Sequence, residues 1–209
     1  MAELKKIHEA ILIGDLKTSV AVTKEALEEG IDPQSIIREY MIPAMDEIGT
    51  KFEQNEVFVP ELLMAARAMK GSLDLLRPLL AEKGAKPEGK VIIGTVKGDL
   101  HDIGKNIVAS MLEGGGFEVK NLGVDVPPDK IVAEVQENNY NIVALPALLT
   151  TTMPAMKDVI EALKDAGLRD KVKVIIGGPA VTQEFCEEIG ADGTSDNANG
   201  AVGLARELV

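Results

Sequence analysis

Residues 90–106 read KVIIGTVKGDLHDIGKN, and the order of those residues decides the architecture. The run from Lys90 to Thr95 is short, apolar and rich in β-branched side chains, as a strand buried on both faces requires. A loop with Gly98 and Gly104 follows, and it sets one imidazole, His101, between two carboxylates, Asp99 and Asp102. A helical pattern then covers 102–113 and closes at Gly114-Gly115-Gly116. The alternation continues downstream. Strands are expected at 90–95, 117–122, 141–146, 172–177 and 191–194. Helices are expected at 102–113, 128–137, 154–166, 180–189 and 198–208, the second opened by Pro127-Pro128. Strands alternating with helices of this length form βαβ units, so the spacing predicts an α/β domain with a flavodoxin-like, doubly wound, five-stranded parallel sheet.

Upstream the period changes. Ile7, Ile11 and Leu12, then Leu16, Val20, Val22 and Leu27, recur three and four apart, which is helical spacing. Gly30 stops one helix, and Asp32-Pro33 starts the next as N-cap and first helical position. Pro43 falls inside a periodic segment and predicts a kink or break beside Met41-Ile42. A further helix is expected from Pro60 to about Leu80, with Leu62, Leu63, Met69, Leu73 and Leu76 on its buried side. Four helices before residue 90 read as an antiparallel bundle. The polar stretch 83–90, EKGAKPEGK from Glu82 onward, has linker composition. The expected domains are a helical cap at 1–88 and a Rossmann-like domain at 89–209.

Composition narrows the chemistry. The 209 residues include two histidines, one cysteine and no tryptophan, with a formal net charge of −12. That charge argues against a nucleic-acid footprint, which needs a basic face. No apolar run is long enough to span a bilayer. The N-terminal residues MAELKKIHEA lack the apolar core of a secretory signal, so a cytoplasmic protein with no membrane partner is expected. Lone Cys186 excludes an internal disulfide and reads as a small buried residue in a reducing compartment. His8 lies on a polar helix face and is expected to be solvated.

In open α/β sheets, ligands bind beyond the carboxyl ends of the strands, where strand order reverses. Three loops meet there: 96–106, then Leu148-Leu149-Thr150-Thr151-Thr152-Met153, then Gly177-Gly178-Pro179. Asp99 lies two residues before His101 and can accept a hydrogen bond from one ring nitrogen, leaving the other as a lone-pair donor. A carboxylate behind an imidazole is the usual support of a metal-bound histidine. The plain alternative is a histidine at a helix N-terminus satisfied by local bonds. A zinc site made by the protein alone would need more ligands than this loop offers. A macrocyclic cofactor that brings most of a metal's ligands with it fits better.

At these residues the sequence resembles the cobalamin-binding domain family. Asp99-Leu100-His101-Asp102-Ile103-Gly104 matches its D-x-H-x-x-G motif, and the match extends through Lys105-Asn106-Ile107-Val108. Met45–Phe52 (MDEIGTKF) and Val57–Leu62 (VFVPEL) resemble the helical cap of methyl-transferring corrinoid proteins. The similarity runs from about residue 5 to the end, and length and layout are those of free-standing corrinoid subunits of methylotrophic methyltransferase systems.

The resemblance implies that cobalamin or a related corrinoid, with cobalt methylated in one state, is the cofactor. It makes His101 the lower axial ligand of cobalt and Asp99 its hydrogen-bond partner. Thr152 stands where the family has a serine that extends this relay. Asp102, Ile103 and Leu148 fall among the cofactor contacts. Gly104, Thr150, Gly177 and Gly178 line the slot for the displaced nucleotide tail. Phe58, Leu62 and Met64 cover the upper face, although Phe58 and Met64 also read as bundle core. Two departures from the family pattern are Pro146, where relatives often have serine, and Thr194, where an aromatic often follows the fifth strand.

The function so implied is a methyl carrier rather than a complete enzyme. A substrate:corrinoid methyltransferase loads the cobalt, and a second methyltransferase moves the methyl group to tetrahydrofolate or coenzyme M. A reductive activase for the corrinoid is a further expected partner, and the 83–90 linker is the expected hinge. Other readings fit less well. A response-regulator receiver needs an aspartate at the end of strand three, where this chain has Leu145-Pro146. A cobalamin-dependent sensor or regulator adds a DNA-binding domain and often a cap tryptophan. A mutase small subunit lacks a helical cap.

Overall fold

The computed structural model describes residues 3–209 apart from Lys83 and Ala85, so those two linker positions, and Met1 and Ala2 of the N-terminal segment, lie outside the described residues. The chain forms two compact units. One runs to Pro87 and includes Ser110–Gly116; the other comprises Glu88–Ala109 and Phe117–Val209.

In the first unit α1 (Lys5–Leu12) buries Ile7, Ala10 and Ile11, and α2 (Leu16–Glu28) buries Val22 and Ala26. Asp15 caps α2 by accepting the Thr18 N–H at 3.0 Å. Asp32 caps α3 (Pro33–Ile36), with Pro33 at its first turn as the Asp-Pro pair predicts. Beside Met41-Ile42, where Pro43 predicts a kink or break, a wider π-helical turn over Ile37–Met41 gives way to α4 (Ile42–Glu53). Proline lacks the N–H that an α-helical turn would use there, and one i→i+5 turn absorbs the loss without ending the helix. α5 (Val59–Glu82) packs along α2, where Ser19 and Ser72 share a buried hydroxyl pair. Leu62, Met69, Leu73 and Leu76 are buried as expected, whereas Leu63 is exposed. The buried stripe of α5 passes through Leu62, Ala65, Ala66 and Met69, so Leu63, about 100° round the helix from Leu62, falls beside the stripe. His8 is half-buried rather than solvated, its Nε2 3.4 Å from Glu47 Oε2 on α4.

The second unit is a single parallel sheet of β1 (Lys90–Ile93), β2 (Glu118–Asn121), β3 (Ile142–Pro146), β4 (Lys173–Gly177) and β5 (Gly193–Thr194), in the order β2-β1-β3-β4-β5. Strand order reverses between β1 and β3, the flavodoxin-like arrangement that the sequence implies. Five helices connect or follow the strands: α6 (Ile103–Gly114), α7 (Pro128–Glu137), α8 (Pro154–Asp165), α9 (Gln183–Ile189) and α10 (Ala198–Leu208). Right-handed crossovers put α7, α8 and α9 on one face, because their strands advance in the same direction, and α6 on the other. Side-chain alternation agrees. Ile92, Val143, Leu145, Val174 and Ile176 meet Ile131, Val135, Met156, Val159, Ile160, Leu163 and Ile189 in one core. Cys186 is buried in that core, as its place in an apolar helix face predicts. Among the described residues no helix is long and apolar enough to cross a membrane.

Candidate functional site

Beyond Ile93 the chain runs on through Thr95 and Val96, turns at Gly98 and places Asp99 at 0% exposure. Asp99 Oδ1 accepts the backbone N–H of His101 at 3.0 Å and the imidazole Nδ1 at 2.7 Å. Oδ2 accepts the N–H groups of Leu148 and Leu149 at 2.8 and 3.4 Å and the Thr152 hydroxyl at 2.9 Å. Two loops on either side of the switch in strand order therefore converge on one carboxylate. Burial alone would push that carboxyl up. The backbone N–H groups of His101 and Leu148, with the imidazole and the Thr152 hydroxyl, outweigh burial and hold it well below the usual carboxylate range.

An ionised carboxylate only accepts hydrogen bonds, so Nδ1 of His101 carries the proton and Nε2 carries the lone pair. The His101 side chain is 52% exposed, and among the described residues only Nδ1 of its ring is bonded. Thr95, itself buried, donates its hydroxyl to the His101 carbonyl at 2.9 Å and fixes the backbone of the same residue. The locally satisfied histidine considered as an alternative is thus half of the arrangement: one nitrogen is satisfied, the other is presented outward.

Around the imidazole lie large apolar side chains left in solvent. Ile103, which opens α6, is 74% exposed, and Leu100, Leu148 and Leu149 are also exposed. Gly104 has no atom within 4 Å of the place where a Cβ would stand, so the first turn of α6 faces open space. Gly178 is different. It has φ +136°, and a Cβ there would collide with the carbonyl oxygen of Ala147, so only glycine lets the β3 and β4 loops approach this closely. Ala147 N–H donates to the Gly177 carbonyl at 3.0 Å and ties the same two loops together.

The structure brings Asp99, His101, Leu148 and Thr152 into one hydrogen-bonded group and joins Gly177 and Gly178 to it through Ala147. Asp102 is exposed and accepts from Asn106 Nδ2 at 3.1 Å. Thr150 is exposed and outside the Asp99 group. Pro146 ends β3 half-buried, and its carbonyl accepts the Val96 N–H at 3.4 Å. Thr194 ends β5, also half-buried.

In the helical unit Phe58 is 64% exposed, its N–H capped by Glu61 Oε2 at 2.8 Å, and Met64 is exposed too. Neither is bundle core. Leu62, in contrast, is 1% exposed and packs inside that core. Gly14 (φ +71°) lies so close to Met64 that a Cβ there would overlap the methionine's own Cβ. Sequence reasoning missed Thr95, Leu149 and Leu100. Thr95 follows a strand and looks like strand, Leu149 contributes only its backbone, and Leu100 is the variable position inside D-x-H-x-x-G.

A corrinoid needs a lone-pair nitrogen aimed outward, an apolar surround and backbone that leaves room for its tail. Nε2 of His101, the exposed Ile103, Leu100, Leu148 and Leu149, and the open space at Gly104 and Gly177 meet those needs, while Gly178 lets the β3 and β4 loops close together. The fold and this loop define an α/β protein that presents a carboxylate-backed imidazole beyond the carboxyl ends of its strands.

Comparison with known proteins makes the assignment particular. Residues 89–203 match the B12 binding domain family, and residues 3–77 match a second family of the same description. The chain belongs to the B12-binding corrinoid proteins of methyltransferase systems, and its cofactor is a corrinoid. Dimethylamine corrinoid protein 1 of Methanosarcina acetivorans is 43% identical over 194 residues, covering 92% of this chain and 91% of that one. The crystal structure of a cobalamin-binding protein from Desulfitobacterium hafniense DCB-2 has a TM-score of 0.81 at 35% identity, over 100% of both chains. The methanol:cobalamin methyltransferase complex MtaBC from Methanosarcina barkeri contains a chain with TM-score 0.87 at 31% identity, over 98% of this chain and 78% of that one.

Proposed function

We propose that the protein is a methyl carrier, loaded by a substrate:corrinoid methyltransferase and unloaded by a second methyltransferase acting on tetrahydrofolate or coenzyme M. The observation that carries this reading is the 2.7 Å contact between His101 Nδ1 and a fully buried Asp99, which leaves Nε2 as an outward donor. A bound corrinoid supplies a cobalt able to take up and release a methyl group. His101 holds the cofactor through Nε2. Asp99 holds the proton at Nδ1, and the Thr152 hydroxyl and Leu148 N–H hold the carboxylate. Such outer partners fix ring orientation and raise ligand basicity.

Gly104, Thr150, Gly177 and Gly178 take the nucleotide tail, and Asp102, Ile103 and Leu148 border the ring. Phe58 and Met64 are the side chains of the helical unit that shield the cofactor from water, while Leu62 anchors their helix from within. The expected boundary between the two functional parts falls at 88/89. The carrier works in the cytoplasm, completes no turnover alone and is served by a reductive activase.

Mixing the cobalamin-loaded protein with partner methyltransferases and methylated donors tests the proposal. Dimethylamine and methanol, for which relatives are named, are the first donors to try. Methylation of the bound corrinoid by one donor, and its loss on adding a second methyltransferase with tetrahydrofolate or coenzyme M, is expected. Failure to bind any corrinoid at micromolar concentration contradicts it.

A further inference from the structure

Lys105, in the first turn of α6, is 4% exposed, and the described residues place no carboxylate within ion-pair distance of its ammonium. Among the described residues its one hydrogen bond is to a neutral amide: Nζ donates to Asn121 Oδ1 at 2.8 Å. Keeping a charge out of water on a neutral acceptor is costly, and an apolar side chain of the same length would avoid that cost.

What Lys105 holds explains the arrangement. Asn121 ends β2 and begins the loop to α7. Its Oδ1 also accepts the Gly123 N–H at 2.9 Å, and its Nδ2 donates to Asn106 Oδ1 at 3.2 Å. Asn106 in turn donates to Asp102, the neighbour of His101. Farther along, the loop grips the other side of the histidine's segment. The Gly123 carbonyl accepts the Thr95 N–H at 3.1 Å, and the Val126 N–H donates to the Thr95 carbonyl at 3.0 Å. The Asp125 N–H donates to the Asp99 carbonyl at 3.0 Å. Asp125 itself has φ +51°, an uncommon conformation for a residue with a side chain, and its Oδ1 accepts the Gly98 N–H at 2.7 Å. Residues 121–126 thus fix the backbone leading into His101 at Thr95, Gly98 and Asp99 and bond the side chains of Lys105 and Asn106 beyond it, and Lys105 anchors the start of that brace.

We propose that Lys105 is a positioning residue for His101: through Asn121 it locks the 121–126 loop, which holds Thr95, Gly98 and Asp99 and so sets the direction of Nε2. This rests on the reading of His101 as the cofactor's ligand.

The test uses Lys105→Met and Asn121→Ala in the full chain, with Asn121→Asp as the conservative variant that keeps an oxygen in place. Two readouts are taken: the 15N resonances of the His101 ring without cofactor, and the affinity for cobalamin. Wild type and Asn121→Asp are expected to show one Nδ1–H tautomer. Lys105→Met and Asn121→Ala are expected to show averaged tautomers and roughly tenfold weaker cobalamin binding. A single tautomer and unchanged affinity in Lys105→Met, whatever its melting temperature, overturns the proposal. Should Lys105→Met fail to fold, the same two readouts on Asn121→Ala decide. Wild type that binds no cobalamin would contradict the functional reading, while the tautomer result still decides the role of Lys105.

Discussion

The chain has two histidines, and each faces a carboxylate, but the two regions are built in opposite ways. His8 Nε2 lies 3.4 Å from Glu47, whose side chain is 42% exposed and shared with Lys51 at 2.8 Å. There the imidazole is the more buried partner, and the carboxylate sits in water with a lysine to neutralise it. At His101 the order is inverted. The carboxylate is fully buried and receives five hydrogen bonds, and the imidazole is half-exposed with a nitrogen to spare. An exposed pair has screened charges and free alternatives, so it contributes little. A buried carboxylate saturated by backbone donors cannot turn away, and it dictates which imidazole nitrogen keeps its lone pair. The direction of burial, not the presence of the pair, leaves the second histidine with an outward lone pair, as the proposed ligand role requires.

Asp99→Asn breaks the comparison most severely. The amide would turn an NH2 group toward donors that need an acceptor, so the cost falls on both fold and site. Roughly 10–100-fold weaker corrinoid binding is expected from loss of the imidazole's partner. About 2 kcal/mol of stability should go with it, measurable by urea unfolding. Next comes Thr152→Val, which removes one of five donors and leaves the others. A several-fold loss of affinity is expected, and Thr152→Ser should restore most of it because the hydroxyl returns.

The pH dependence sharpens the same contrast. Because folding holds the Asp99 carboxyl below its unfolded value, its contribution is fully present above the ordinary carboxylate pKa of about 4. It is lost as pH falls through the depressed folded value. The stability gap between wild type and Asp99→Asn should therefore shrink as pH falls below about 4. A gap that widens further as pH falls below about 4 would show that Asp99 is not the ionised acceptor described here. Smallest of all is the effect at the other histidine. His8→Ala and Glu47→Ala should each change stability by no more than about 0.5 kcal/mol through the lost ion pair, with corrinoid affinity unchanged.

Most of this arrangement could be read before any coordinates. The parallel strands announce themselves as VII and IVAL runs because a strand buried on both faces has no polar side to show. Asp99 and His101 are adjacent in sequence, so their pairing follows from spacing, and Thr152 follows from the resemblance of the β3 loop. Other features depend on contacts between segments far apart in the chain. Leu63 and Leu62 are equally apolar, and only the packing of α5 on α2 decides which is buried. The wide turn before Pro43 depends on how the helical unit tolerates one missing N–H. Lys105 looks like a surface lysine at the start of a helix until Asn121 arrives from β2. Leu149 acts through its backbone, which no side-chain pattern can announce.

The central claim is that His101 Nε2 is the protein's donor to the corrinoid cobalt. The most direct measurement is the electron paramagnetic resonance spectrum of the cobalamin-loaded protein in its cobalt(II) state, with histidine in natural abundance and then labelled with 15N. A nitrogen splitting that changes from three lines to two on labelling, and vanishes in His101→Ala, is the predicted result. A splitting that ignores the label, or survives in His101→Ala, would contradict the account.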